Sequence, residues 1–298
     1  MRKRGVDLDF ESLRKKRIYL GTSSWKYPGW KGLVYRREYK SEKSFNETCL
    51  EEYAETFPIV GVDHTYYTWP TERQFEKYIS QTPETFRFGL KATENTTVFK
   101  FPTHKRYGKK AGLVNAEFLD ADAFAQRFLK PLERFAGRLA PIVLEFSQFY
   151  PGTISSGTEF VERTGQFFTQ LKSHSEFRFA IELRNANWLK PPYFQMLEHH
   201  GVGHVFNSWT RMPSVLEQLE LAKPYRLPFI CGRLLLEPGV AYQEAVEAFA
   251  PYDRIHKTQD GVRKAAVMLI SEAMNLGIEA YVYVNNRLEG CSPETLRA

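Results

Sequence analysis

Six charged side chains dominate the chemistry open to this sequence: Asp63, Lys91, Glu145, Glu182, Arg184 and Arg233. Each lies at or just past the C-terminal end of a short apolar run. A carboxylate pair such as Glu145 and Glu182 can divide acid and base work when one is desolvated and the other is cation-paired. Arginines such as Arg184 and Arg233 present a planar fork that grips phosphate or carboxylate bidentately. A lysine such as Lys91 serves as an electrophile, or as a base where its neighbours lower its pKa. Burying charge is costly unless it is paired and hydrogen-bonded, so the same six groups also suit a structural ion-pair network.

The runs that carry them read as strands. In residues 177–183, Phe179, Ile181 and Leu183 fall on one face, while Ala180 and Glu182 fall on the other and Arg184 continues that parity. Seven more short strands are expected at 18–23, 59–65, 86–92, 141–147, 202–207, 229–235 and 279–285. Helical patterns separate them at 44–57, 71–79, 120–139, 158–172 and 192–200, with two helical pieces in 242–276. Thr71 is a plausible N-cap. Pro131 should kink or split its helix, and Gly201 should stop the one before it.

Strands alternating with helices predict an α/β fold, a single-domain (β/α)8 TIM-type barrel over 1–298 with residues 1–17 as an N-terminal extension. The last helix should begin near Ser292 and be short or irregular. An open doubly wound sheet is the competing architecture. It would want a glycine-rich phosphate turn after the first strand, and Gly21-Thr-Ser-Ser-Trp25 lacks G-x-G-x-x-G.

Period-two parity turns the barrel reading into a list of inward residues. The strands in order offer Gly21 and Ser23; Gly61, Asp63 and Thr65; Gly89, Lys91 and Thr93; Val143, Glu145 and Ser147; Ala180, Glu182 and Arg184; Asn207; Cys231 and Arg233; Tyr283 and Asn285. Barrel enzymes keep their chemistry at the C-terminal strand ends, where the six charges cluster. Asp63, Lys91, Glu145 and Glu182 are therefore the catalytic candidates. Ser23, Trp25, Tyr27, Thr65, Tyr66, Arg184, Trp188, Asn207, Arg233 and Asn285 are the substrate-binding candidates. All 5 tryptophans follow candidate strands. An aromatic rim over charged groups suits a ligand with a flat apolar face and polar edges, such as a sugar or a nucleotide base.

Composition bounds the rest. The chain has 298 residues, 43% hydrophobic and 15% aromatic, which is enough for a sizeable core. A formal net charge of +6 is mildly basic and no nucleic-acid footprint by itself. Basic residues cluster at 1–4, at 14–17, and at Lys105-Arg106 with Lys109-Lys110; the two N-terminal clusters read as solvated surface. Three scattered cysteines fit a reducing compartment, and no apolar run approaches a membrane span or a signal segment. A cytoplasmic protein is expected.

The motifs themselves resemble a known family. Gly21-Thr-Ser-Ser-Trp-Lys-Tyr-Pro-Gly-Trp-Lys-Gly32 is similar to the opening signature of the DUF72 (YecE-like) family. Val62-Asp-His-Thr-Tyr-Tyr67 with Trp69-Pro70 resembles its second signature. Phe86-Arg-Phe-Gly-Leu-Lys-Ala92, followed by Thr103-His104, resembles its third. Glu182-Leu-Arg184 with Trp188, and Tyr283-Val-Asn-Asn286 with Gly290, resemble its later motifs. The likeness runs in order along nearly the whole chain. His64 departs from the small polar residue usual there, and Cys291 and Ser292 from a small apolar pair. The resemblance implies a TIM-type barrel and carries no reaction.

Three functions compete. The first is a hydrolase or lyase on a sugar- or nucleotide-like substrate; where that substrate is phosphorylated, Arg184 and Arg233 could hold the phosphate. The second adds a divalent metal held by Asp63, Glu145, Glu182 and His64 or His104, for a phosphodiesterase or isomerase. No H-x-H or H-E-x-x-H spacing supports it, and Lys91 and the arginines compete for the carboxylates. The third is a non-catalytic binder of single-stranded nucleic acid or of nucleotides, motivated by the rim aromatics and the 105–110 basic run.

Overall fold

A computed structural model describes residues 9–150, 152–236 and 242–298. Its eight strands are β1 (Ile18–Thr22), β2 (Ile59–Val62), β3 (Arg87–Leu90), β4 (Ile142–Phe146), β5 (Phe179–Leu183), β6 (Gly203–Asn207), β7 (Phe229–Leu234) and β8 (Glu279–Val284). They form one parallel sheet in the order β3-β2-β1-β8-β7-β6-β5-β4. The sheet curls until its two edges meet. There, isolated parallel bridges pair Phe88 with Leu139 and Lys91 with Val143. The Ala140 and Ala92 N–H groups donate to Phe88 and Val143 carbonyls, each at 2.9 Å. Helices cover the outside, so the chain is a nearly closed TIM-like barrel. The open doubly wound alternative is excluded.

Side-chain parity holds along every strand. Tyr19, Ile59, Val143, Ala180, Val205, Phe229, Cys231, Tyr281 and Tyr283 pack together inside the barrel. Leu20, Val60, Phe88, Leu144, Ile181 and Val282 join the separate core between barrel and helices. Space inside is tight. A Cβ on Gly89 would lie 2.1 Å from the Tyr283 hydroxyl, so only glycine on β3 lets Tyr283 span the barrel from β8. A Cβ on Gly21 would lie 2.0 Å from the Ile59 carbonyl of the neighbouring strand.

The helices follow the expected punctuation. Thr71 caps the helix Glu72–Ile79 by accepting the Gln74 N–H, and Gly201 ends Pro191–His200 with φ of 64°. The segment around Pro131 is broken as expected: a short α-helix Ala121–Phe124, one π turn Ala125–Leu129, then 3-10 helix Lys130–Arg138. Two helical pieces, Tyr242–Phe249 and Asp260–Leu276, occupy the long stretch before β8. The final helix is the short Ser292–Arg297.

One expectation needs correction, and helices stand outside the expected segments. β2 ends at Val62, and Asp63–Tyr66 is a 3-10 turn, so strand parity does not reach Thr65. The stretch treated as an N-terminal extension contains a helix, Phe10–Lys15, capped by Asp9; within its basic cluster, Arg14 pairs with Glu11. The cluster at 1–4 lies outside the described residues. A helix at Val215–Ala222 was not anticipated, although Ser214 and Glu217 form its capping box and its S-x-x-E signature stands in the sequence.

One buried polar chain braces β6 from outside. His204 is fully buried; its Nδ1 lies 2.9 Å from the Tyr193 hydroxyl and its Nε2 3.2 Å from Gln218 Oε1. Gln218 also accepts the Asn207 N–H and donates to the Asn207 carbonyl. Burial drives the imidazole down to about 4 against the opposing Gln218 hydrogen bond. The unfolded chain takes up a proton near the ordinary value of 6.5, so stability is full above that pH and is lost as pH falls towards 4. Urea unfolding at about pH 7 and about pH 5 should show an acid loss roughly 2 kcal/mol larger in the wild type than in His204→Gln. Equal losses would refute neutral burial of this histidine.

Candidate functional site

Adjacent strands set two acids side by side. Glu145 on β4 and Glu182 on β5 are register partners with the same inward parity. Arg184 continues the β5 row. Arg233 on β7 is the register partner of Asn207 on β6 and of Tyr283 on β8. Lys91 follows β3 directly, and Asp63 opens the turn after β2. All six expected charges therefore converge at the C-terminal mouth.

They form a single alternating network. The Arg184 Nη2 lies 2.8 Å from Glu182 Oε1 and 2.9 Å from Glu145 Oε1. The Arg233 Nη1 donates to Glu145 Oε2 at 3.0 Å and also to Glu182 Oε2. The Lys91 ammonium bridges Glu145 Oε2 at 2.9 Å and Asp63 Oδ1 at 3.1 Å. The Arg233 Nη2 stands 3.8 Å from the same Asp63 oxygen. Side-chain exposure rises from 0% at Glu182 through 6% at Arg233 and 9% at Glu145 to 15% at Lys91 and 35% at Asp63. The network thus has a sealed floor and an open end.

Burial alone would raise the Glu145 pKa, but Arg184, Lys91 and Arg233 outweigh it and hold the carboxyl well below the usual range. Burial likewise opposes charge on Arg184 and Arg233, and the surrounding carboxylates outweigh it and raise both. Two rings complete the mouth. The Arg184 guanidinium lies 3.9 Å from the Trp209 ring centroid, and the Lys91 ammonium 5.7 Å from that of Tyr66. Trp209 was not among the candidates, though it stands two residues past β6, where a rim side chain belongs.

Several other candidates have different neighbours. Trp25 is buried in the outer core, edge-on to Tyr78 at 5.5 Å. Trp188 stacks on Phe149 at 5.5 Å and packs on Phe160. Thr65 is a brace: its hydroxyl accepts the Lys91 N–H at 3.1 Å and lies 2.9 Å from the Val62 carbonyl. Asn285 caps the turn Asn286–Glu289 by accepting the Arg287 N–H. Tyr27 packs on Trp30 at 4.8 Å, and burial pushes its phenol up to about 12. Ser23 Oγ and Asn207 Oδ1 are buried with no hydrogen-bond partner among the described residues. These two, with Tyr66, Arg184 and Arg233, remain at or under the mouth.

A metal fits this donor set poorly. Each carboxylate already faces one or more cationic nitrogens, and among the described residues no group of three His, Cys, Asp or Glu side chains is placed to hold an ion. His64 lies edge-on to Tyr78, and His104 Nδ1 accepts the Arg106 N–H, so neither joins the carboxylates.

Comparison with known proteins places the molecule. Residues 19–298 match the family described as "Protein of unknown function DUF72". The UPF0759 protein YunF of Bacillus subtilis (strain 168) is 25% identical over 182 residues, 60% of this chain and 54% of that one. The UPF0759 protein YecE of Escherichia coli (strain K12) is 27% identical over 178 residues, 57% of each. The match thus spans little more than half the length of these curated relatives. A DUF72 family protein from Enterococcus faecalis V583 superposes with a TM-score of 0.60 at 20% identity, over 93% of this chain and 92% of that one. One from Thermotoga maritima MSB8 gives 0.57 at 21%, over 94% and 96%. At such identities the structural likeness speaks for the fold alone. With the family signature matched from the first barrel strand to the last helix, the chain belongs to the DUF72 family.

Proposed function

We propose that this protein is an enzyme, a hydrolase or lyase, acting at the C-terminal mouth on a polar, ring-bearing substrate of the sugar or nucleotide kind. The observation that carries this reading is the exposure gradient along the network. Buried ion pairs add little stability over apolar side chains of the same size. A network that is sealed at Glu182 and open at Asp63 and Lys91 presents reactive groups held from beneath.

The roles follow from position. Asp63 is the most exposed carboxylate and serves as the base, taking a proton from water in hydrolysis or from substrate in elimination. The Lys91 ammonium, fixed 3.1 Å from it, stabilises the negative charge that develops as the leaving group departs. Glu145 is held ionised by three cations, so it has no proton to deliver at neutral pH; it anchors Lys91. Glu182 orients both guanidiniums and is too buried to meet substrate. Arg184 on Trp209, with Tyr66 opposite, offers a cationic and aromatic face for an anionic or ring-bearing group. This assignment separates the acids into an outer working pair and an inner supporting pair.

Two expected outcomes follow from the division. Glu182→Gln should cost about 3–5 kcal/mol in chemical unfolding, because two buried guanidiniums lose a charge partner. Asp63→Asn, on the half-open rim, should cost no more than about 1 kcal/mol. Equal costs would show that the network is structural throughout. In a thermal-shift screen of sugars, sugar phosphates, nucleotides and divalent ions, a hit on the wild type should be weakened or lost in Asp63→Asn and Trp209→Ala. A hit unaffected by either variant would place the ligand site away from the mouth.

A further inference from the structure

The β3–β4 connection builds a basic arm beside the mouth. Residues 95–114 carry five Lys or Arg and no Asp or Glu, against a net charge of +6 for the whole chain. Phe101 and Leu113 pair across a short antiparallel ladder, as do Phe99 and Asn115, with Lys100 bridged to Val114 between them. Asn115 pins the base of this hairpin through 2.7 Å bonds to the Asn95 and Val98 carbonyls. The tip is the 3-10 turn Lys105–Lys110. Lys100, Lys105, Lys109 and Lys110 are exposed, and none has an ion pair among the described residues.

From the mouth to this tip runs an unbroken track of rings and cations. The Lys91 ammonium lies 5.7 Å from the Tyr66 ring, and Tyr66 meets Tyr67 at 5.2 Å. The Arg106 guanidinium sits between Tyr67 at 4.8 Å and Tyr107 at 4.5 Å. Tyr107 meets Phe101 at 5.4 Å, and Lys110 lies 5.5 Å from Phe101. Tyr67 is 59% exposed. Glu94, which pairs with Arg106 and accepts the Tyr107 hydroxyl at 3.0 Å, lies within the track, and Asp63 and Glu145 pair with Lys91 at its mouth end.

We propose that this arm docks single-stranded nucleic acid, with phosphates on the tip lysines and a base on Tyr67, and leads it over Tyr66 to Lys91. The inference rests on the mouth being the reactive site and names its substrate class. Spaced cations match a phosphate backbone, and exposed rings stack on bases of any sequence. A compact sugar phosphate would engage one or two cations and leave the rest of the track unused.

The test is fluorescence anisotropy of a labelled oligothymidylate of about 12 nucleotides across a KCl series, with the full chain. Wild type should bind with salt-sensitive affinity. The triple variant Lys105→Ala, Lys109→Ala, Lys110→Ala should weaken binding about tenfold or more and flatten the log–log salt slope by about 2, at roughly 0.7 per phosphate contact. Tyr67→Ala should weaken binding about tenfold with the slope unchanged. Thermal unfolding of both variants should match the wild type, since the changed side chains are exposed. No binding by wild type, or binding indifferent to the triple variant, overturns the proposal. So does inorganic polyphosphate competing as well as the oligonucleotide does. A mouth ligand lost in Asp63→Asn without oligonucleotide binding sinks this inference alone. Oligonucleotide binding through the arm with no turnover of the bound strand counts against the enzyme reading instead.

Discussion

Glu145 and Glu182 stand side by side on neighbouring strands, and the two arginines that bridge them set the conditions for everything above. Parallel strands run about 4.8 Å apart, so register partners of equal parity bring their carboxylates close. Two such charges in a low-dielectric interior cannot both stay ionised without compensation. Arg184 and Arg233 each touch both acids, one across each pair of oxygens. With that charge cancelled, Glu145 Oε2 holds Lys91 alongside Arg233, and Lys91 in turn fixes Asp63. The exposed end is the last link of a chain whose first link is fully buried.

Beneath this polar layer the barrel is filled by shape. Gly89 leaves the space that Tyr283 occupies from β8, its ring reaching β3 on the far side, while a Cβ on Gly21 or Gly61 would run into the neighbouring backbone at Ile59 or Ser23. Tyr19, Phe229 and Tyr281 fill the layer nearer the N-terminal ends, with Tyr19 and Tyr281 stacked at 5.1 Å. The division matches what a barrel demands: apolar layers below carry stability, and strand ends above carry chemistry. The Tyr283 hydroxyl and Asn207 Oδ1 are buried at the border with no partner among the described residues.

Parity made the strands and the six charges legible, because an extended backbone fixes where each side chain points. That control stops where the strand stops. Asp63 stayed in place because it is the first residue past β2, whereas Thr65 lies inside a 3-10 turn and props Lys91 from below. The tryptophans show the same limit. Trp25 and Trp188 follow strands in sequence, yet Trp25 is buried and Trp188 half-buried among other aromatics. Trp209 lies against Arg184 instead, and nothing in residue type or spacing separates it from those two. The capping box at Ser214 was readable and explains the helix it starts. The His204–Gln218 brace joins β6 to that helix and was beyond reach of any local pattern.

The seam between β3 and β4 ties these features together. It is the one strand contact of the barrel made by isolated bridges and not by a continuous ladder. A strand pair with a full ladder leaves little freedom at its upper end. Here the chain leaves β3 at Lys91, whose N–H is held by Thr65, and returns only at Ala140 after building the hairpin arm. The least tightly laddered place in the barrel therefore holds the most accessible cation of the network and the root of the basic hairpin arm. Opening or tightening that seam would move Lys91 relative to Glu145 and Asp63, while the Arg184–Glu182–Arg233 floor, built on β5 and β7, would stay where it is.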